Sequence, residues 1–172
     1  MQNWYEIVFE LIDLRSFSNL WYWIALAVVW SSASHWVLGV PNDMILRARR
    51  NGGEAERDLH DIVRVNVNRL LFITGSAGYW ILGFACFFLS TLLILGFWYK
   101  SEFAQAVFLL ACPMSLVFAL SIRTAAKIRA ADGEGLYQFL HRHRLVTQVI
   151  GMISIFITAL WGMAQNMAIG VL

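Results

Sequence analysis

Four long apolar runs constrain this chain more than any other feature. They are LWYWIALAVVWSSASHWVLGV (about 20–40), LFITGSAGYWILGFACFFLSTLLILGFW (about 71–98), FAQAVFLLACPMSLVFALSI (about 103–122) and LVTQVIGMISIFITALWGMA (about 145–164), and none contains Asp, Glu, Lys or Arg. A helix needs about 20 mostly apolar residues to cross a bilayer. A lipid-facing barrel strand would instead alternate with period two over about ten residues. The expected fold class is therefore an all-α membrane protein. It has four transmembrane helices in two hairpins, forming a single domain over 1–172, with a short amphipathic interfacial helix at the N-terminus (1–16).

Composition supports this. Of 172 residues, 59% are hydrophobic and 14% charged, where a soluble domain carries about 25% charged residues. So little polar surface excludes a soluble enzyme, a disordered chain and a nucleic-acid binder. The 8 Trp, 5 Tyr and 12 Phe suit the membrane–water boundary. Trp21, Tyr22, Trp23, Phe97, Trp98 and Tyr99 are the expected interfacial anchors. Cys86 and Cys112 lie in apolar runs without CxxC spacing and are read as small buried hydrophobes.

The basic residues set the expected orientation. Arg47, Arg49, Arg50, Arg57, Arg64 and Arg69 lie between the first two runs. Arg123, Lys127, Arg129, Arg142 and Arg144 lie between the last two, leaving only Arg15 and Lys100 elsewhere. Positive-inside bias puts loops 41–70 and 123–144 in the cytoplasm of a bacterial inner membrane, with both termini periplasmic. No basic n-region precedes the first run, so no cleaved signal peptide is expected.

The arm NWYEIVFELIDL places Trp4, Ile7, Val8, Leu11 and Ile12 on one helical side and Glu6, Glu10 and Asp13 on the other. Its acidity is unlike a lipid-binding helix, so Glu6, Glu10 and Asp13 are candidate partner contacts on the outer face. Pro41-Asn42-Asp43 should end the first span. Asn51-Gly52-Gly53 is a turn signal. The following segment should run as one long helix into the second span, with Glu54, Glu56, Asp58 and Asp61 near its positive end. RTAAKIRAA extends the third span outward, Asp132-Gly133-Glu134-Gly135 turns the chain, and LYQFLHRHR leads into the fourth.

Helices in lipid associate through close packing of small residues. The candidate packing residues are Gly75, Gly78 and Gly83 (with Cys86 and Ser90) in the second span, and Ala111, Ser115 and Ala119 in the third. In the fourth they are Gly151, Ser154, Thr158 and Gly162, and Ala27, Ser31 and Ser34 make a shorter stripe in the first. Packing within a four-helix bundle accounts for all of them, and a homodimer face is the alternative. Pro113 removes an N–H from the third span, frees a carbonyl about one turn earlier and should kink it.

His35 is the only histidine inside a span, and intramembrane ionisable groups are functional candidates. It is either a neutral imidazole bonded within the bundle, to Ser31 or Gln148, or a haem or bacteriochlorophyll ligand, or a proton relay. His141 and His143 point about 200° apart on a helix and cannot share a metal. That run, like Arg47, Arg49 and Arg50, reads as a basic flank touching anionic headgroups. The chain has no GxSxG, no HExxH, no carboxylate pair in the bilayer and no phosphate-binding glycine loop.

The stretch WYEIVFELIDLRSFSNLWYWIALAVVWSSASHWVLGVPNDMILRARRNGG, with RVNVNRLL and FAQAVFLLACPMS, resembles a family of small membrane proteins of photosynthetic and related alphaproteobacteria. Its members are often labelled "component of SufBCD complex", after the iron–sulfur cluster assembly machinery. The resemblance covers most of the chain. It implies a bacterial inner membrane rich in respiratory or photosynthetic complexes, and it transfers no catalytic residue. The expected function is a non-enzymatic accessory, assembly or scaffold subunit without a cofactor, packed against a larger membrane complex in the lipid bilayer. The alternative is a haem- or pigment-binding or small-solute transport protein using His35 and the Pro113 kink.

Overall fold

The computed structural model describes residues 16–170, with side chains to 167. The arm bearing Glu6, Glu10 and Asp13 lies outside the described residues. A short 3-10 turn, Ser16–Ser18, leads into α1, Leu20–His35. Asn19 caps α1: its side-chain oxygen accepts from the Trp21 N–H at 3.0 Å. Helix α1 ends five residues before the expected end of the first span. Val40 precedes Pro41 and is sterically pushed out of the α region. The chain instead forms a two-residue hairpin, β1 (Trp36–Val37) pairing antiparallel with β2 (Val40–Pro41). Its turn places Leu38 and Gly39 at φ of 51° and 75°. Two positive φ values in succession match the right-handed twist of a tight hairpin. Leucine is costly there, and Asn66 pins the turn by donating Nδ2–H to the Leu38 carbonyl at 3.2 Å.

Helix α2 spans Asn42–Asn51, and α3 follows as Gly53–Leu93, ending in a π-turn at Ile94–Trp98. At about 1.5 Å per residue α3 is about 60 Å long, roughly twice a hydrocarbon core. It is therefore longer than one crossing requires, and it forms the single continuous helix that the sequence predicts. Helix α4, Glu102–Ala130, carries its cap on Ser101 and runs unbroken through Pro113. After the predicted turn around Asp132 and Gly133, α5 spans Leu136–Gly170.

The two connecting segments are not loops but a packed helical head. Val37, Val40, Ala48, Leu59, Val63, Val67, Ala125, Ile128, Leu136 and Leu140 share one buried core. Arg144 donates to Asn42 Oδ1 at 2.7 Å, and Tyr137 to Glu56 Oε1 at 3.4 Å, tying α5 to α2 and α3. Below the head, α4 lies between α3 and α5, and α1 packs on α5. Leu26 and Trp30 of α1 meet Val117, Leu110 and Met114 of α4 and Ile150 of α5. Helix α3 has no side chain in that second core.

Among the described residues, three helices are long and apolar enough to cross a membrane: Gly53–Trp98, Glu102–Ala130 and Leu136–Met167. Many large apolar side chains face outward, including Tyr79 at 94% and Trp80 at 83% exposure. Apolar surface on this scale marks contact with lipid or protein. The molecule is thus an all-α, multi-pass membrane protein with three candidate spans. At 16 residues α1 is about 24 Å long, short of a full hydrocarbon core.

Candidate functional site

Helix α5 carries the best-filled small-residue stripe. Gly151, Ser154, Thr158 and Gly162 are all buried, and Leu140, His143 and Thr147 extend the same face toward the head. Large aromatic side chains occupy the notches. A Cβ added at Gly151 would sit 2.8 Å from Trp30 Cε3, and one at Gly162 would sit 3.2 Å from Phe17 Cδ1 and 3.3 Å from Trp23 Cζ2. The Trp23 indole N–H donates to the Phe17 carbonyl at 3.1 Å, which holds the two aromatic rings over Gly162.

Ser154 has a second task. Pro113 has no N–H, so the carbonyl four residues earlier, Leu109 O, loses its helical donor. The Ser154 hydroxyl on α5 donates to that carbonyl at 3.4 Å. Neighbouring hydroxyls commonly satisfy freed carbonyls this way inside membranes. Pro113 also lines a groove of about 320 Å³ between α4 and α5, walled by Phe108, Leu109, Leu116, Ile150 and Ile157, in which Ser154 is the only hydroxyl.

The α4 stripe is less buried. Ala111 and Ser115 are half-buried and Ala119 is exposed, while the Ser115 hydroxyl donates to its own helix at Cys112 O, 2.6 Å away. The α3 stripe corrects the expectation of packing inside the bundle. Cβ atoms built at Gly75, Gly78 and Gly83 meet nothing within 4 Å. The less exposed positions of α3 are Thr74, Ala77, Gly78, Ile81, Ala85, Leu89 and Leu92, so Gly75, Gly83, Cys86 and Ser90 sit on the opposite, exposed side. Apolar periodicity shows where small residues recur, but α3 is apolar all round, and its sequence cannot say which side α4 takes. Phe72, Tyr79, Trp80 and Phe87 project beside these small residues. The outward face of α3 therefore presents large apolar side chains beside small-residue notches.

His35 also departs from expectation. It is the last residue of α1, exposed, with its ring 6.1 Å from that of Trp36 and its Nε2 4.0 Å from Asp43 Oδ1. Ser31 O accepts from Ser34 instead, and no hydrogen bond joins His35 to Ser31 or Gln148 among the described residues. Early termination of α1 moves His35 from the bundle interior to the edge of the head. Cys86 and Cys112 are exposed and unlinked rather than buried. His141 is exposed and His143 buried, as their spacing predicts. No group of three or more His, Cys, Asp or Glu among the described residues is placed to hold a metal.

One polar knot escaped the sequence reading. Gln105 is only 3% exposed. Its Nε2 donates to Gly96 O at 2.9 Å, and its Oε1 accepts from the Trp161 indole N–H at 2.9 Å. A Cβ at Gly96 would stand 2.9 Å from the Gln105 backbone nitrogen, so glycine permits the close approach. The π-turn at Ile94–Trp98 shifts the carbonyl pairing, and Gln105 takes up one of those carbonyls. The available signal was a lone carboxamide in an otherwise apolar run.

Together these features describe a multi-pass membrane protein with buried polar groups at its helix contacts. No family model, curated protein or solved structure matches the chain.

Proposed function

We propose that this chain is a non-enzymatic accessory or scaffold subunit of a larger bacterial inner-membrane complex, and that it holds a partner's transmembrane helix along the outward face of α3. One observation carries the reading: Cβ atoms built at Gly75 and Gly83, on the exposed side of α3, meet nothing within 4 Å, although on α5 the notches at Gly151 and Gly162 are filled by Trp30, Phe17 and Trp23. Small residues let backbones approach closely, which is how helices associate where hydrophobic driving force is absent. The resemblance to small alphaproteobacterial membrane proteins is consistent with this setting.

In this reading α1 is a fourth, short span, completed at one side by the apolar hairpin Trp36–Pro41. The head, with its Arg and Lys residues, faces the cytoplasm. Cysteines introduced at Asn51 and Glu134 then react from the cytoplasmic side, and one at Lys100 from the other. Reaction of Asn51→Cys from outside overturns that orientation.

The test of the partner face is co-purification in mild detergent. Gly75→Leu with Gly83→Leu should release the partner while the chain remains folded. Retention of every partner by the double variant would sink the proposal. Loss of pairing between two differently tagged copies would identify the partner helix as a second copy of α3.

A further inference from the structure

A cavity of about 220 Å³ opens between the head ends of α4 and α5. Helix α4 contributes Leu120, Arg123, Thr124 and Lys127, and α5 contributes Phe139, Arg142, His143 and Val146. Each set falls at i, i+3, i+4 and i+7, so each is one helical face, and the two faces oppose one another. Because the helices are antiparallel, their ends sort by depth. Leu120 and Val146 stand toward the apolar runs, which end at about 122 on α4 and begin at about 145 on α5. Arg123 and Arg142 occupy the middle, and Lys127 lies toward the head.

Three features make this more than a basic flank. The cations come from two helices and border one concavity. No acidic residue lines it, and among the described residues none of Arg123, Lys127 and Arg142 has a carboxylate within 4.0 Å. Its wall is built: His143 is buried and bonded to Thr124 Oγ1 at 3.2 Å and Ser121 Oγ at 3.4 Å, which holds α5 against α4 at this level.

We infer that this cavity binds the phosphate of an anionic phospholipid headgroup. Guanidinium groups match phosphate oxygens as planar donors, and Lys127 adds a point charge. The apolar lower rim at Leu120 and Val146 continues into the lipid-facing surface, where the acyl chains remain. A free phosphate would make no use of that rim. Basic pockets between spanning helices on the cytoplasmic side bind headgroups by this chemistry.

The experiment uses the whole chain in nanodiscs of phosphatidylcholine with a minority of phosphatidylglycerol, with retained lipid counted by native mass spectrometry. Wild type should keep phosphatidylglycerol in preference to phosphatidylcholine. Arg123→Gln with Arg142→Gln should weaken that retention about tenfold to thirtyfold, from the attraction typical of each basic side chain near an anionic surface. Arg57→Gln with Arg129→Gln removes the same charge from parts of the head that do not line the cavity and should leave retention unchanged. Equal losses in both double variants would show diffuse attraction and overturn the site. Displacement of phosphatidylglycerol by inorganic phosphate at constant ionic strength would reassign the cavity to the free anion and overturn the lipid assignment. Unchanged retention in the Arg123/Arg142 variant, with its thermal unfolding intact, would equally reject it.

Discussion

Helices α3 and α5 carry the same device with opposite outcomes. On α5, Gly151 lies under Trp30 and Gly162 under Phe17 and Trp23, with Ser154 and Thr158 buried between them. On α3, Gly75, Gly78 and Gly83 face open space, and the aromatic side chains beside them point outward. A small-residue stripe is thus a permission for close approach, not an instruction about which helix approaches. What decides is whether another element brings large side chains to the notch. Helix α1 and the 3-10 turn do so for α5, and within the described chain nothing does so for α3.

Four substitutions break or sharpen this contrast. The largest effect is expected from Gly151→Leu, because the first added carbon already meets the Trp30 ring at 2.8 Å. Overpacking typically costs about 1–3 kcal/mol, and this site belongs at the upper end. Thermal unfolding in detergent checks it, and an unshifted midpoint would mean that Trp30 does not fill the notch. Next comes Gln105→Leu, which strands the Gly96 carbonyl and the Trp161 indole N–H without partners. Buried orphans cost about 1–3 kcal/mol, so unfolding should come several degrees earlier, and Gln105→Glu should not restore it.

A smaller loss, about 0.6 kcal/mol as for typical hydrogen bonds between membrane helices, is expected for Ser154→Ala. A double-mutant cycle sharpens the cause: in a Pro113→Ala background Leu109 O regains its backbone donor, so Ser154→Ala should cost less there. Equal costs in both backgrounds would separate Ser154 from the proline. The smallest effect on the chain itself is expected for Gly83→Leu, within about 0.5 kcal/mol, because no neighbour is displaced. Its effect should appear in partner retention instead. A destabilisation matching that of Gly151→Leu would erase the difference between the two faces.

Much of the architecture was legible without coordinates, for particular reasons. The long helix from Gly53 through the second apolar run follows from acids at its start and a sustained helical period. The turn at Asp132-Gly133 follows from residues that tolerate positive φ. Helical extension of α4 past Ile122 follows from RTAAKIRAA, a run of good helix formers. The end of the first span was placed too late, at Pro41. The hairpin depends on Leu38 adopting positive φ, and that depends on Asn66, distant in sequence, meeting its carbonyl. The same shift places His35 at the exposed end of α1 rather than inside a span.

The sequence by itself determined the long apolar helices, their order and the sorting of charge to one end. These are properties of local periodicity and of transfer between water and hydrocarbon, and each can be summed along a single segment. Only the tertiary structure decided which stripe is filled, that Ser154 satisfies the carbonyl freed by Pro113, that Gln105 ties α4 to Gly96 and Trp161, and that two basic helix faces close on one cavity. Each is a meeting of groups from separate segments. An apolar helix has many sides of nearly equal transfer energy, and the choice among them rests on steric fit and single hydrogen bonds that exist only once the neighbour is in place.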